Sequence, residues 1–132
     1  MKEHPNAVLV RRLFAAFEAL DIATVSDIIA EDAVWRFPGR RGALAGDHEG
    51  REAILRFLVN VGALTARSFR LDLHDVRASD SGAVALFTGT GTRPDGRTLH
   101  NPTALRIDIS GAKIVELWEY VWDLEHVEEF WS

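Results

Sequence analysis

The chain has 132 residues, of which 47% are hydrophobic and 27% charged, and its net charge is −5 at pH 7. A chain of this length fits one domain and buries enough surface for a core with a small internal cavity. The absence of cysteine excludes disulfides, thiolate metal sites and cysteine nucleophiles. The arginines are scattered and form no basic stripe, so we expect no nucleic-acid binding.

No segment resembles a targeting or membrane sequence. The first five residues contain no apolar signal core. No later run approaches the roughly eighteen apolar residues that a membrane span needs. We therefore expect a cytoplasmic protein without a membrane segment.

The amino-terminal half is predicted to be mainly helical. Pro5 suits the first turn of a helix. Apolar residues then recur at helical spacing, at Leu9, Leu13, Phe17 and Leu20. Asp21 is predicted to end this helix and to cap a second, shorter one. A strand over residues 33–37, a glycine-rich loop over residues 39–50 and a third helix are predicted to follow.

From Ser68 onward apolar residues alternate with a period of two, which predicts strands. Turn sequences divide this half into four strands, at Asp80–Ser81–Gly82, Pro94–Asp95–Gly96 and Ser110–Gly111. Asp123 is predicted to cap a short terminal helix. Segregated helices and strands predict an α+β fold. We expect a cone in which a curved, mainly antiparallel sheet wraps around three N-terminal helices and encloses a pocket.

The last predicted strand, within residues 111–123, has two unusual faces. One face carries Val115, Leu117, Glu119 and Val121. The other carries Ile114, Glu116, Trp118, Tyr120 and Trp122. A carboxylate within an aliphatic row, opposite three aromatic residues, predicts that one face encloses something polar and that the other is also covered.

Four segments resemble the nuclear transport factor 2-like superfamily, and within it the SnoaL-like, ketosteroid-isomerase-related proteins. They read EDAV at 31–34, GDHEGREAI at 46–54, GRTLHN at 96–101 and GAKIVELWEY at 111–120. Because the match spans essentially the whole chain, we expect residues 1–132 to form a single SnoaL-like domain. This fold hosts isomerases, cyclases, dehydratases, hydrolases and non-catalytic binders, so the resemblance does not identify a reaction.

The resemblance implies which residues line the pocket. In relatives the concave surface carries the alternate positions that here are Val115, Leu117, Glu119 and Val121. On the preceding strand the matching positions are Asn101, Thr103, Leu105, Ile107 and Ile109. Trp35 and Phe37 are expected to point inward from the first strand. The expected ligand-binding residues are therefore Trp35, Phe37, Thr103, Leu105, Leu117 and Val121, which together make a mostly apolar site.

Two reactions known for the fold are not expected here. Ketosteroid isomerase needs a carboxylate base, a tyrosine and a protonated aspartic acid. The resemblance assigns these three positions to apolar residues, at about Leu13, Phe37 and Leu105. Relatives that resemble limonene epoxide hydrolase use an Arg-x-Asp pair. Arg106–Ile107–Asp108 has this spacing, but alternation turns both charged side chains outward, where we expect an exposed cross-strand ion pair.

Glu119 is the strongest catalytic candidate. Burial in an apolar pocket would raise its pKa toward neutrality and suit it to acid–base work or to anchoring a ligand hydroxyl. The alternative is a structural carboxylate held by an arginine or by backbone N–H groups. Asn101, His48 or an arginine could be its partner. Asn101 could also satisfy a turn, and His48, in the loop near the expected pocket mouth, could relay protons or be solvated.

The sequence contains no metal-ligand spacing, phosphate loop or dinucleotide fingerprint, so we expect neither metal nor cofactor. Outward-facing Trp118, Tyr120 and Trp122 predict a homodimer formed through the convex sheet. The predicted function is binding of a small molecule, with isomerase, cyclase or dehydratase activity on a small apolar or polyketide-like compound. The alternative is a non-catalytic ligand-binding or accessory dimeric domain.

Overall fold

A computed structural model describes residues 2–132, which form four helices and one six-stranded sheet. The helices are α1 (Pro5–Glu18), α2 (Ile22–Ile28), α3 (Arg51–Leu64) and α4 (Leu124–Trp131). The strands are β1 (Ile29–Phe37), β2 (Gly46–Glu49), β3 (Arg70–Ser79), β4 (Gly82–Thr92), β5 (Thr98–Ser110) and β6 (Lys113–Val121). The predicted α+β class is confirmed.

The order of strands in the sheet is β2-β1-β6-β5-β4-β3. The four strands predicted for the second half of the chain, β3 to β6, form an antiparallel meander, and β1 pairs in parallel with β6. In this register Leu105 of β5 lies opposite Glu119, and Trp35 of β1 lies opposite Leu117. These pairings bring the first strand of the chain beside the last one, where the candidate site lies.

The helix starts lie where the capping signals predict them. Pro5 occupies the first turn of α1. The side chain of Asp21 accepts a hydrogen bond of 3.2 Å from the backbone N–H of Thr24. Asp123 accepts one of 3.1 Å from the backbone N–H of His126. Each aspartate satisfies an N–H group that the first helical turn leaves without an intrahelical partner.

The predicted loop over residues 39–50 is wrong in its last part, because Gly46–Glu49 forms β2. This short strand pairs antiparallel with β1, and His48 lies opposite Trp35. A four-residue strand with three polar side chains has no apolar alternation, so no periodic pattern marks it in the sequence.

The predicted faces of β6 are wrong at its start. Ile109 pairs with Ile114 while Asp108 pairs with Glu116, so Val115 is an extra residue in β6. Such a β-bulge reverses the alternation on one side of itself. As a result Ile114 is fully buried and Val115 is only half-buried, the opposite of the expectation. Leu117 and Glu119, beyond the bulge, keep the predicted parity.

The core lies between the concave face of the sheet and the helices. Its fully buried side chains include Val10 of α1, Ile54 of α3, Ile107 of β5 and Phe130 of α4. Within residues 2–132 no helix combines the length and the apolar composition that crossing a membrane requires.

Candidate functional site

A cavity lies between the concave face of the sheet and helices α1, α3 and α4. The space that it encloses, including open solvent at its mouth, is about 550 Å³, of which about 50 Å³ can hold the centre of a water molecule. A site for one water molecule needs roughly 10–15 Å³ of the volume that is open to water centres. The cavity is therefore narrow, but it is larger than a site for a single water molecule.

The wall of the cavity is almost entirely apolar and aromatic. The helices and the segment after α3 contribute Leu13, Phe14, Phe17, Phe57, Val61, Phe69 and Trp131. The sheet contributes Trp35, Phe37, Leu71, Phe87, Leu99 and Leu105. The two polar residues in the wall are Asn101 and Glu119. This composition is typical of small-molecule sites, in which a few polar groups orient an apolar ligand.

The carboxyl group of Glu119 projects from β6 into the cavity, next to the indole of Trp35 on β1. Trp35 Nε1 donates a hydrogen bond of 3.0 Å to Glu119 Oε1. Burial among apolar groups disfavours the charged carboxylate and raises the pKa of Glu119 to about 7, against the smaller lowering effect of the Trp35 hydrogen bond. The carboxyl group can therefore gain or lose a proton near neutral pH.

Asn101 lies on β5, closer to the amino-terminal end of that strand than Leu105, the residue opposite Glu119. Asn101 is 6% exposed, and its side-chain oxygen, Oδ1, has no hydrogen-bond partner within residues 2–132. Thr103 Oγ1 donates a hydrogen bond of 3.0 Å to the backbone carbonyl of Asn101, and this bond does not involve the side-chain amide. Asn101 is four residues from Leu105, the neighbour of Glu119, so the two polar residues are separated by roughly 13 Å along the strand.

The structure does not bring His48 to the cavity wall. His48 lies on β2 instead of in a loop, and its Nε2 is 2.8 Å from the Leu44 carbonyl oxygen. Its ring packs on Phe57, with the centroids 4.4 Å apart and the planes tilted by 32°. Between Glu119 and the described residues 2–132, the one side-chain hydrogen bond is that from Trp35, so neither His48, Asn101 nor an arginine is the partner.

Of the site residues expected from the sequence, Trp35, Phe37, Asn101, Leu105 and Glu119 line the cavity. Three expected wall residues do not line it. Leu117 is fully buried in the core, while Thr103 and Val121 border a second groove, which Leu86, Tyr120 and Trp122 also line. The inward parity was correct for all three, but parity alone does not determine which side chains border free space.

The three positions that the resemblance assigns to ketosteroid isomerase chemistry all lie in the wall. They are Leu13, Phe37 and Leu105, and none carries a polar group. Glu119 is the single titratable group among the wall residues of the described chain. The cavity therefore provides one proton-transferring group next to an indole N–H.

Helix α4 covers one side of the cavity with Trp131, which is 4% exposed. Its attachment is polar: Glu128 Oε2 accepts hydrogen bonds from the backbone N–H groups of Arg40, at 2.9 Å, and Arg41, at 3.2 Å. These contacts, the Arg40 N–H first, lower the pKa of Glu128. The sequence predicted this helix, but not that it encloses the cavity.

The C-terminal end of α4 is also held by an arginine, from the turn between β4 and β5. Arg93 Nη1 donates a hydrogen bond of 2.8 Å to the Phe130 carbonyl oxygen, in the last turn of the helix. Positive charge at a helix C-terminus is favourable, because the carbonyl groups there lack intrahelical partners. The Trp131 carbonyl in turn accepts a 3.2 Å bond from the Ala43 N–H.

On the convex face, Arg106 and Asp108 form an exposed ion pair, with Nε 3.1 Å from Oδ1. The expected cross-strand pairing is wrong, because both residues belong to β5 and the pair lies within one strand. Trp118 lies under the guanidinium groups of Arg36, at 4.7 Å, and Arg106, at 5.9 Å. Trp118 is therefore half-buried.

Tyr120 and Trp122 are the exposed aromatic residues of this convex face, with exposed fractions of 54% and 86%. Leu86, exposed at 41%, borders the groove that Tyr120 and Trp122 also line.

Within residues 2–132, no group of three or more His, Asp or Glu side chains is arranged to hold a metal ion.

The family model of the SnoaL-like domain matches residues 10–117. The chain belongs to the SnoaL-like family. An uncharacterised protein of Mycobacterium tuberculosis is 29% identical over the full length of both chains. The protein Bal32a, from a soil-derived mobile gene cassette, is 33% identical over 97% of each chain, with a TM-score of 0.92.

More distant structures share the fold. A nuclear transport factor 2-like protein of Burkholderia xenovorans is 22% identical, covers all of this chain and 99% of its own, and has a TM-score of 0.82. These similarities confirm the SnoaL-like, nuclear transport factor 2-like fold that the sequence motifs indicate.

Proposed function

We propose that this SnoaL-like protein binds a small, largely apolar molecule in the cavity and transfers a proton to or from it through Glu119. The observation that carries the proposal is the Glu119 carboxyl group, which has a pKa of about 7 in an apolar wall and is held by Trp35. Such a group can act as a general base when ionised and as a general acid when protonated. Isomerisation, cyclisation and dehydration all need this step.

Two relatives of the same fold support the class of ligand. A structure of the protein TerC contains polyporic acid, and a protein from Jannaschia is described as a putative SnoaL-like polyketide cyclase. At 20% and 17% identity they share the fold with this chain, so a polyketide-like substrate remains part of the proposal.

Exchange of carbon-bound protons tests this function. The protein is incubated with 2-tetralone, a small apolar ketone, in deuterated buffer, and loss of the α-proton signal is followed by NMR. We expect exchange faster than in buffer, rising with pH through an apparent pKa of about 7. In the Glu119→Gln variant the rate should fall by about 100-fold or more, because general base catalysis typically contributes at least that factor.

A non-catalytic binder is the second candidate. It is favoured by the lone titratable group in the wall and by the aromatic side chains that leave little free space. For this candidate the ketone would perturb the fluorescence of the wall tryptophans on binding, while its α-protons would exchange at the rate in buffer. The same experiment therefore separates the two functions.

The proposal includes a homodimer formed through the convex face around Tyr120 and Trp122. Exposed apolar patches of this kind mark interfaces, where aromatic residues are enriched. Trp118 contributes less exposed apolar surface to this patch than the sequence predicts, because Arg36 and Arg106 cover its ring. The cytoplasmic location and the single domain over residues 1–132 remain predictions from the sequence.

A further inference from the structure

The side-chain amide of Asn101 is the second polar group of the cavity, and the proton transfer proposed for Glu119 does not use it. Its Oδ1 is buried without a hydrogen-bond partner within residues 2–132. Leaving a buried acceptor unpaired costs about 1–3 kcal/mol, and native structures contain few such atoms. Because Asn101 is a wall residue of the cavity, its unpaired oxygen is placed to accept a hydrogen bond from a bound donor.

The position of Asn101 relative to Glu119 constrains what that donor belongs to. Both side chains point to the concave face, and both border the same cavity. Along β5, Asn101 and the neighbour of Glu119 are four residues apart, or roughly 13 Å. One small polar group cannot contact both residues at once, so they serve different parts of a ligand.

Apolar side chains surround Asn101. Gly89 of β4 lies opposite it in the sheet, and Leu99 precedes it on the same face. Phe69 borders the cavity and would contact a Cβ atom at Gly89, at 3.2 Å, so its ring lies over this part of the sheet. In such surroundings a hydrogen bond discriminates strongly between a ligand that provides the donor and one that lacks it.

We propose that Asn101 determines specificity, by accepting a hydrogen bond from a hydroxyl group of an elongated, largely apolar ligand whose other end reaches Glu119. This inference rests on the proposed function, because it requires that the cavity bind a ligand. Asn101 would be a binding residue and would take no part in proton transfer. It would select hydroxylated compounds over their ethers and hydrocarbons.

The test uses four rod-shaped probes: biphenyl, 4-phenylphenol, its methyl ether and 4,4′-biphenol. Binding to the full chain is measured by calorimetry and by quenching of tryptophan fluorescence, since Trp35 and Trp131 border the cavity. We expect 4-phenylphenol to bind about tenfold more tightly than its methyl ether, the usual value of one hydrogen bond. In the Asn101→Leu variant the two compounds should bind equally.

Glu119→Gln is the matched control, because it changes the other polar group of the wall. The preference for the phenol should persist in this variant. If it persists in Asn101→Leu and disappears in Glu119→Gln, the donor contacts Glu119 and the inference is overturned. A preference of the wild-type protein for the ether would also overturn it, because the amide would then present its N–H group.

Failure of the inference and failure of the proposed function give different results. Equal binding of all four probes overturns the role of Asn101 and leaves ligand binding intact. No binding by any probe overturns both. If Asn101→Leu does not fold, contacts between the hydroxylated ring and the Asn101 amide, measured by NMR on the wild-type protein, decide instead: their presence supports the inference and their absence overturns it.

Discussion

The indole of Trp35 donates a hydrogen bond of 3.0 Å to the carboxyl group of Glu119, across the parallel pair of strands β1 and β6. The bond connects residues that are 84 positions apart in the sequence. It holds one carboxyl oxygen in place, while burial raises the pKa of the group to about 7. The Trp35 bond therefore orients the candidate base and lowers its pKa, while burial, the larger effect, raises that pKa.

Replacing Trp35 by phenylalanine should raise the pKa of Glu119 above its value of about 7. The N–H of Trp35 stabilises the charged carboxylate, so its loss favours the protonated form. A hydrogen bond to a charged group contributes about 1.5 kcal/mol, which corresponds to a rise of about one pH unit. The measurement is the pH dependence of the Glu119 carboxyl ¹³C resonance.

Trp131→Phe provides the control for this titration. Trp131 borders the same cavity but does not donate to Glu119. The pKa of Glu119 should therefore change little in this variant. An equal rise in both variants would mean that cavity polarity, and not the Trp35 N–H, sets the pKa.

The stability of the protein should depend on the ionisation of Glu119. In the unfolded chain its pKa is 4.5 and in the folded protein about 7, so between these values the folded state binds more protons. Its contribution to the free energy of unfolding is complete below pH 4.5 and is lost as the pH rises to 7. The loss amounts to about 3 kcal/mol, since one pH unit corresponds to about 1.4 kcal/mol.

Glu119→Gln isolates this contribution. Urea unfolding of both proteins is measured at several pH values, and the difference between them is plotted. Groups such as Asp75, whose pKa is lowered by the hydrogen bond from Arg77, act in the opposite direction but are common to both proteins. We expect wild-type stability relative to the variant to fall with rising pH. A difference that does not change with pH would show that Glu119 titrates normally.

The sequence predicted the inward face of β5 correctly and that of β6 only in part. Strand β5 pairs with β4 without interruption from Thr98 to Asp108, so a period of two holds along it. In β6 the extra residue Val115 reverses the alternation, and nothing in its side chain marks a bulge. Glu119 lies beyond the bulge, so its side chain keeps the predicted inward direction.

The partner of Glu119 and the shape of the cavity could not be predicted from the sequence. The Trp35 contact depends on the parallel register of β1 with β6, which local patterns do not determine. The free space depends on how aromatic side chains of distant elements pack together. His48 was expected in a loop because the four-residue strand that contains it has no apolar alternation.

Helix α4 should loosen when Glu128 is replaced by alanine. The backbone N–H groups of Arg40 and Arg41 would lose the carboxylate that accepts their hydrogen bonds. We expect the free energy of unfolding to fall, because both N–H groups lose a charged acceptor. Trp131 should become more accessible to acrylamide, and hydrogen exchange at both amides should accelerate.

Glu129→Ala is the control for α4, since it removes an exposed carboxylate from the next position of the same helix. It should leave the quenching of Trp131 and the exchange of the two amides unchanged. Loosening of equal size in both variants would mean that helix propensity or net charge, and not the contact to the backbone of Arg40 and Arg41, holds the helix.

The convex face should form the interface of a homodimer, and Trp122→Glu should disrupt it. Trp122 is 86% exposed in the isolated chain, and neighbouring Tyr120 and Leu86 are more than a third exposed. A charged side chain at the centre of such a patch would be desolvated on association, which is costly without a partner. Light scattering at micromolar concentration should give twice the chain mass for the wild type and the chain mass for the variant.

Val8→Glu separates this interface from a general effect of added charge. Val8 is 52% exposed on α1, away from the sheet, so its replacement should leave the dimer intact. A monomeric wild type would contradict the interface, as would dissociation by both variants. Because Trp122 faces away from the cavity, ligand binding by Trp122→Glu should persist, and its loss would show that the dimer helps to shape the site.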